Sequence, residues 1–128
     1  MKHFLDFSIG MDGAGSITLW GYSSSLNLTK YVDPSSCSTV KRFLLIGSGD
    51  VRHLLHTLAM NNEPMEIYLV ETQLEIYARQ LLLLQLIFKS TDQLGLQEKC
   101  EHYLELFGNL HLNSHTEQYL KQSAKELI

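Results

Sequence analysis

Cysteine is scarce in this chain. Cys37 and Cys100 stand in unlike contexts with no third or fourth partner, so neither a disulfide framework nor a thiolate zinc site is supported, and a reducing intracellular setting is expected. Proline occurs only at Pro34 and Pro64. Positive charge is in deficit: 10 Lys and Arg against 14 Asp and Glu leave a formal net charge of -4, which removes the basic footprint of a nucleic-acid binder. Long hydrophobic runs are missing too. The longest, LLLLQLIF at 81–88, falls far short of the roughly eighteen residues that a membrane-spanning helix requires. The opening MKHFLDFSIG carries Lys2, Asp6 and Ser8, so it lacks the continuous apolar region of a signal peptide.

What is present fits one ordinary globular domain: 128 residues, 45% hydrophobic and 19% charged, a composition that excludes disorder. A chain of this length can bury roughly two thirds of its unfolded surface. Met11 is followed by the small stretch DGAGS, so residues 1–14 are read as a flexible or extension segment. ITLWGY at 17–22 reads as a short strand or a packed extended arm. Residues 23–40, with six serines and an Asp33-Pro34 turn signal, read as a loop.

Regular structure is expected from residue 43. FLLI at 43–46 is a continuous apolar run closed by Gly47-Ser48-Gly49-Asp50, which predicts a strand covered on both faces, as in parallel sheets. Val51, Leu54, Leu55 and Leu58 then share one face of a helix over 51–60. Asn61-Asn62 and Pro64 end it. IYLV at 67–70 is a second strand leading to Glu71, and Thr72 with Glu75 has the spacing of a capping box for a helix over 73–89. That helix carries too much apolar surface for a single stripe, which predicts burial on more than one side. Leu96, Cys100, Tyr103, Leu104 and Phe107 mark the packing face of a third helix, stopped at Gly108-Asn109. Ser114 with Glu117 repeats the capping-box spacing ahead of a fourth. The order β-α-β-α predicts parallel, adjacent strands over 43–47 and 66–71 joined by a right-handed crossover. Two strands make a poor sheet. Residues 15–128 are therefore read as the amino-terminal part of a larger α/β domain whose sheet is incomplete within this chain, or as a piece that completes a sheet with another chain.

The constellation with the most chemistry is Gly47, Gly49 and Asp50 after the first strand, with Glu71 at the end of the second. In nucleotide-binding sheets such glycines let the backbone approach a ligand at a helix N-terminus, while the acid accepts hydrogen bonds from a ribose. An S-adenosylmethionine or nucleotide pocket is thus one reading. A turn that needs glycine dihedrals and binds nothing is the other, and it gains from Arg52, which occupies the third glycine position of the fingerprint. His53 and His56 lie at i, i+3, and His111 and His115 at i, i+4, but no H-E-x-x-H or cysteine pair accompanies them, so no metal is expected. No nucleophile signature is found around Ser23, Ser24 and Ser25 or either cysteine. Lys41, Arg42 and Arg52 are read as solvated charge near the turn.

Several segments resemble a known family. GSITLWGYSSSLNL at 15–28, FLLIGSGDVRHLLHTLA at 43–59, IYLVETQLEIYARQLLLLQLIF at 67–88 and GLQEKCEHYLELFGN at 95–109 are similar to the amino-terminal domain of the dynein axonemal assembly factor 3 family. The resemblance implies a methyltransferase-type Rossmann half in a cytoplasmic, non-catalytic factor. Such a factor preassembles axonemal dynein arms for motile cilia and acts on dynein subunits, chaperones or co-assembly factors, with no cofactor. No ligand residue is carried over by it. Leucine excess and resemblance together lead us to expect broad apolar contacts with partners, no nucleic acid and no membrane.

Overall fold

The computed structural model describes residues 17, 19–21, 23–32, 40–109 and 111–127. The extension at 1–14, the Asp33-Pro34 turn and Cys37 lie outside them. In chain order the elements are β1 (Lys41–Ile46), α1 (Arg52–Ala59), β2 (Met65–Val70), α2 (Leu74–Phe88), α3 (Leu96–Gly108) and α4 (Ser114–Glu126), preceded by a 3-10 turn at Leu28–Tyr31. Two compact units, Met1–Tyr77 and Ala78–Ile128, divide the chain within α2. Among the described residues no helix is long and apolar enough to cross a membrane.

In the first unit β1 and β2 pair in parallel, with Lys41 opposite Met65 and Ile46 opposite Val70, as the β-α-β order predicts. Each strand starts ahead of its apolar run. Arg42 faces Glu66 across the ladder, and their side chains meet at 2.6 Å, an opposite-charge pair that favours this register. Lys41 pairs with Glu63. Both cations therefore sit where the parallel strands begin, and only Arg52 of the expected basic group reaches the turn at their other end.

The expectation that both faces of the strands are covered is corrected. Leu45 is 7% exposed, but Leu44, Ile46, Tyr68 and Val70 are 62%, 51%, 54% and 43% exposed. Side chains alternate along a strand, so these residues share one face, and nothing among the described residues covers it. A continuous apolar run specifies a strand; what lies over each face is decided elsewhere in the molecule.

α1 buries Val51 and Leu54 as expected, with Leu55 and Leu58 half-buried. It also buries His53 and Thr57 completely, at 1% and 0% exposure, on a face that periodicity assigned to solvent. α2 departs from expectation in two ways. Its first helical bond runs from the Tyr77 N–H to the Gln73 carbonyl, which makes Gln73 and not Thr72 the cap. Its buried residues are Ile76, Gln80, Leu83 and Leu86, with Tyr77, Leu82, Leu84 and Ile87 half-buried, while Leu74, Leu81 and Phe88 are exposed, so among the described residues one side of it stays open.

In the second unit the packing face of α3 is not the leucine face. Leu96 and Leu104 are 72% and 68% exposed and Cys100 is an exposed free thiol, whereas His102 is buried at 1%. Leucine periodicity misjudged this helix because a histidine and a threonine fill its interior contact: His102 Nδ1 lies 2.8 Å from Oγ1 of Thr116 on α4. α4 is capped one residue before the expected Ser114. The Asn113 side chain accepts from the Thr116 N–H at 2.7 Å, and asparagine caps as well as serine does. Glu105 holds Asn113 in place by accepting its backbone N–H at 3.0 Å.

Candidate functional site

The two parallel strands end side by side, and the chain leaves β1 through Gly47 and Gly49, whose φ values of 64° and 69° lie in the left-handed region that glycine occupies without a Cβ penalty. The Gly47 N–H donates to the Val70 carbonyl at 2.8 Å, carrying the ladder one bond past β1 and holding the turn against the end of β2. Glu71 follows directly. Its Oε1 accepts the Gly49 N–H at 2.9 Å and the Ser48 hydroxyl at 3.0 Å. Gly47, Gly49 and Glu71 are thus brought together where the sequence placed them.

The arrangement is closed on itself. The Gly49 amide, which a phosphate would need as a donor, is occupied by the carboxylate expected to hold a ribose. Asp50 is 2% exposed and faces inward: Oδ1 caps the Arg52 N–H at 3.0 Å, and Oδ2 accepts the Gly21 N–H at 3.2 Å. Arg52 reaches the Gly21 carbonyl and donates to Ser23 Oγ at 3.1 Å. A methyl group at Gly21 would run into that guanidinium and displace it.

These bonds belong to a longer seam that periodicity did not reveal. The described residues 19–21 carry no strand, and Gly21 packs on Asp50 and Arg52 as an extended arm; residues 23–31, read from the sequence as loop, continue that arm along α1. The Leu26 N–H donates to His53 Nδ1 at 3.0 Å, and the Leu28 N–H to Thr57 Oγ1 at 3.0 Å. Thr29 Oγ1 and Asn61 Oδ1 meet at 3.0 Å, and Asn61 Nδ2 returns to Asn27 Oδ1 at 3.2 Å. The Arg52 Nε–H meets the other ring nitrogen, Nε2, at 3.4 Å, so both nitrogens of His53 face donors. Burial lowers the His53 pKa below its ordinary 6.5, and the neighbouring Arg52 charge adds to this. His56 Nδ1 lies 2.9 Å from Ser25 Oγ. The His53/His56 doublet is therefore spent on the arm. Local sequence signals for such a seam are weak, since it needs only amides on one side and a polar i, i+4 pair on the other.

His115 meets not the His111 of its sequence doublet but α3, where its Nε2 lies 3.2 Å from Glu98 Oε1 and its ring 4.8 Å from that of His102. Burial, and then His115, lower the His102 pKa.

The other surface feature is the open sheet face. Register sets Leu44 opposite Tyr68 and Ile46 opposite Val70, so these side chains form one contiguous apolar patch. It ends at the Arg42–Glu66 pair, to which the Tyr68 hydroxyl donates at 3.0 Å. Hydrogen bonding and attraction to Arg42 hold the Glu66 carboxyl below its ordinary range, with the Tyr68 hydroxyl adding to this. A patch of this kind, polar at its end and apolar within, has the anatomy of a protein contact.

Residues 19–112 match the family model described as Domain of unknown function (DUF4470). The chain is also similar to proteins named Dynein axonemal assembly factor 3. The one from Mus musculus is 37% identical over 128 residues, covering 90% of this chain and 22% of that protein. The one from Danio rerio is 34% identical over 123 residues, covering 91% and 25%. The one from Homo sapiens is 34% identical over 125 residues, covering 88% and 23%. The chain thus spans about a quarter of the length of these relatives. No solved structure matches it.

Proposed function

Since this chain belongs to the DUF4470 family, we propose that it acts in the assembly of axonemal dynein, as the names of its relatives say of them. It does so by holding protein segments and not by catalysis. The observation that carries this reading is the exposed face of Leu44, Ile46, Tyr68 and Val70, an apolar surface of the kind that soluble proteins keep for partners. On this reading residues 15–128 are part of a larger Rossmann-like domain of methyltransferase type. They work in the cytoplasm before dynein arms enter motile cilia, and the face takes an apolar segment of a dynein subunit or of a chaperone bound to it. The Arg42–Glu66 pair at its edge supplies polar register. No cofactor is needed.

The test is capture of dynein subunits from ciliated-cell cytoplasm by wild-type protein and by Ile46→Glu, with circular dichroism confirming an intact fold. Ile46 is half exposed, so the charge is tolerated in the free protein and harms only a contact. Recovery should fall at least tenfold. Equal recovery by both proteins refutes the contact surface.

A second reading rests on the two positive-φ glycines facing Glu71 at the carboxyl ends of parallel strands, where open α/β sheets bind ligands. It makes Gly47, Gly49, Asp50 and Glu71 an S-adenosylmethionine or nucleotide site. Calorimetry with S-adenosylmethionine and with NAD separates the readings. Micromolar binding that Glu71→Ala removes supports this second one, whereas silence leaves the turn as structure alone.

A further inference from the structure

Glu98 and His102 lie at i and i+4 on α3, so their side chains leave the helix on the same side, and His115 enters from the first turn of α4. Glu98 Oε1 is 3.2 Å from His115 Nε2 and 3.8 Å from His102 Nε2, and one donor atom from each residue lies within 4.8 Å of the other two. A tetrahedral ion with bonds of about 2.0 to 2.1 Å needs donors about 3.3 Å apart. The cluster is therefore expanded, and the side chains that would rotate to contract it, His115 and Glu98, are the exposed and the partly exposed ones.

His102 supplies an independent observation. Its side chain is 1% exposed, yet its Nε2 is buried with no hydrogen-bond partner, which is uncommon for an interior polar atom. Nδ1 is engaged with Thr116 Oγ1 at 2.8 Å. When Nδ1–H donates there, the lone pair falls on Nε2 and faces Glu98 and His115. An outer hydrogen bond of this kind is what fixes the tautomer and orientation of a metal-ligating histidine. Tyr119 stacks on the ring, with centroids 4.7 Å apart and planes 18° from parallel, which restrains it from turning away. The cluster borders an open cleft of about 250 Å³ shared with Lys89, Gln93 and Tyr119, so a further coordination position is accessible to water.

We infer that Glu98, His102 and His115 bind one divalent cation of the zinc class, with water in the fourth position and the ion tying α3 to α4. Two imidazoles and one carboxylate suit zinc and its first-row neighbours, whereas calcium and magnesium take oxygen ligands.

Zinc chloride titrated into the metal-free 128-residue chain by calorimetry, and cobalt(II) followed in the visible, test this. One equivalent of zinc should bind, and cobalt should show the intense d–d bands of four-coordination. His115→Ala and Glu98→Gln, both at accessible positions that leave the fold intact by circular dichroism, should each weaken zinc binding at least tenfold. Thr116→Ser should retain it, because the hydroxyl that orients His102 is kept, while His56→Ala and His111→Ala should leave it unchanged. Absence of binding, a six-coordinate cobalt spectrum, or equal affinity in His115→Ala and wild type would each overturn the assignment.

Discussion

Thr57→Val tests whether the arm is truly held by α1. Valine keeps the branched shape of threonine, and Thr57 is 0% exposed, so packing changes little while the hydroxyl is lost. That hydroxyl accepts the Leu28 N–H at 3.0 Å and donates to the His53 carbonyl at 2.7 Å. The carbonyl keeps its place in the helical ladder. The amide has no such alternative, and Leu28 is itself 8% exposed, so its donor is left buried and unpaired at a cost of about 1–3 kcal/mol. With a urea m-value near 2 kcal/mol per molar for a chain of this size, a loss of about 2 kcal/mol lowers the unfolding midpoint by about 1 M. Amide exchange gives the sharper assay, because the Leu28 and Leu26 N–H groups should lose protection by about thirtyfold for 2 kcal/mol, well beyond any change in the strands. Thr57→Ser, which deletes one methyl and keeps the oxygen, should cost about 1 kcal/mol and leave the Leu28 amide protected. If Thr57→Val matches wild type in both midpoint and Leu28 exchange, the hydroxyl does not carry the seam.

Neighbouring positions on β1 should behave oppositely: Leu45→Asp places an unpaired carboxylate in the interior, costs several kcal/mol and prevents folding, whereas Leu44→Asp, on the 62% exposed side chain, leaves far-ultraviolet dichroism unchanged. Gly47→Ala should cost about 1–2 kcal/mol in chemical denaturation, as strain at positive φ alone, since nothing lies within 4 Å of the added methyl. His53 should make stability depend on pH. Its folded pKa is depressed below 6.5 chiefly by burial and then by Arg52 and His56, with Asp50 opposing, so the unfolded chain takes up a proton that the folded one refuses. Stability is then full above about pH 6.5 and declines as pH falls toward the folded value, and the slope should flatten in His53→Gln.

What the sequence by itself determined is whatever depends on neighbours along the chain. The apolar runs FLLI and IYLV, the glycines after the first and the acid after the second are local signals. They correctly bring Gly47, Gly49 and Glu71 together in a parallel β-α-β unit, because a crossover of this length leaves few other ways to pair two strands. Helix periods likewise placed α1 to α4 within a residue or two. Caps were less legible: Asn113 and Ser114 are both good caps, and the one used, Asn113, is also held by the Glu105 carboxylate.

Tertiary structure alone decided which faces are covered and what polar side chains meet. The same apolar run serves a strand buried on two faces or on one, so Leu44 and Ile46 gave no sign that they would stand open to solvent. Leucine is also a weaker guide than volume and hydrogen bonding together, which is why α3 turned His102 inward and Leu104 outward. The arm seam joins residues distant in the chain, and His115 reaches the Glu98–His102 pair of α3 from a separate helix. Apart from that i, i+4 pair, each contact is set by side chains or amides that only the folded backbone brings within hydrogen-bonding range; no periodicity in the chain encodes that distance.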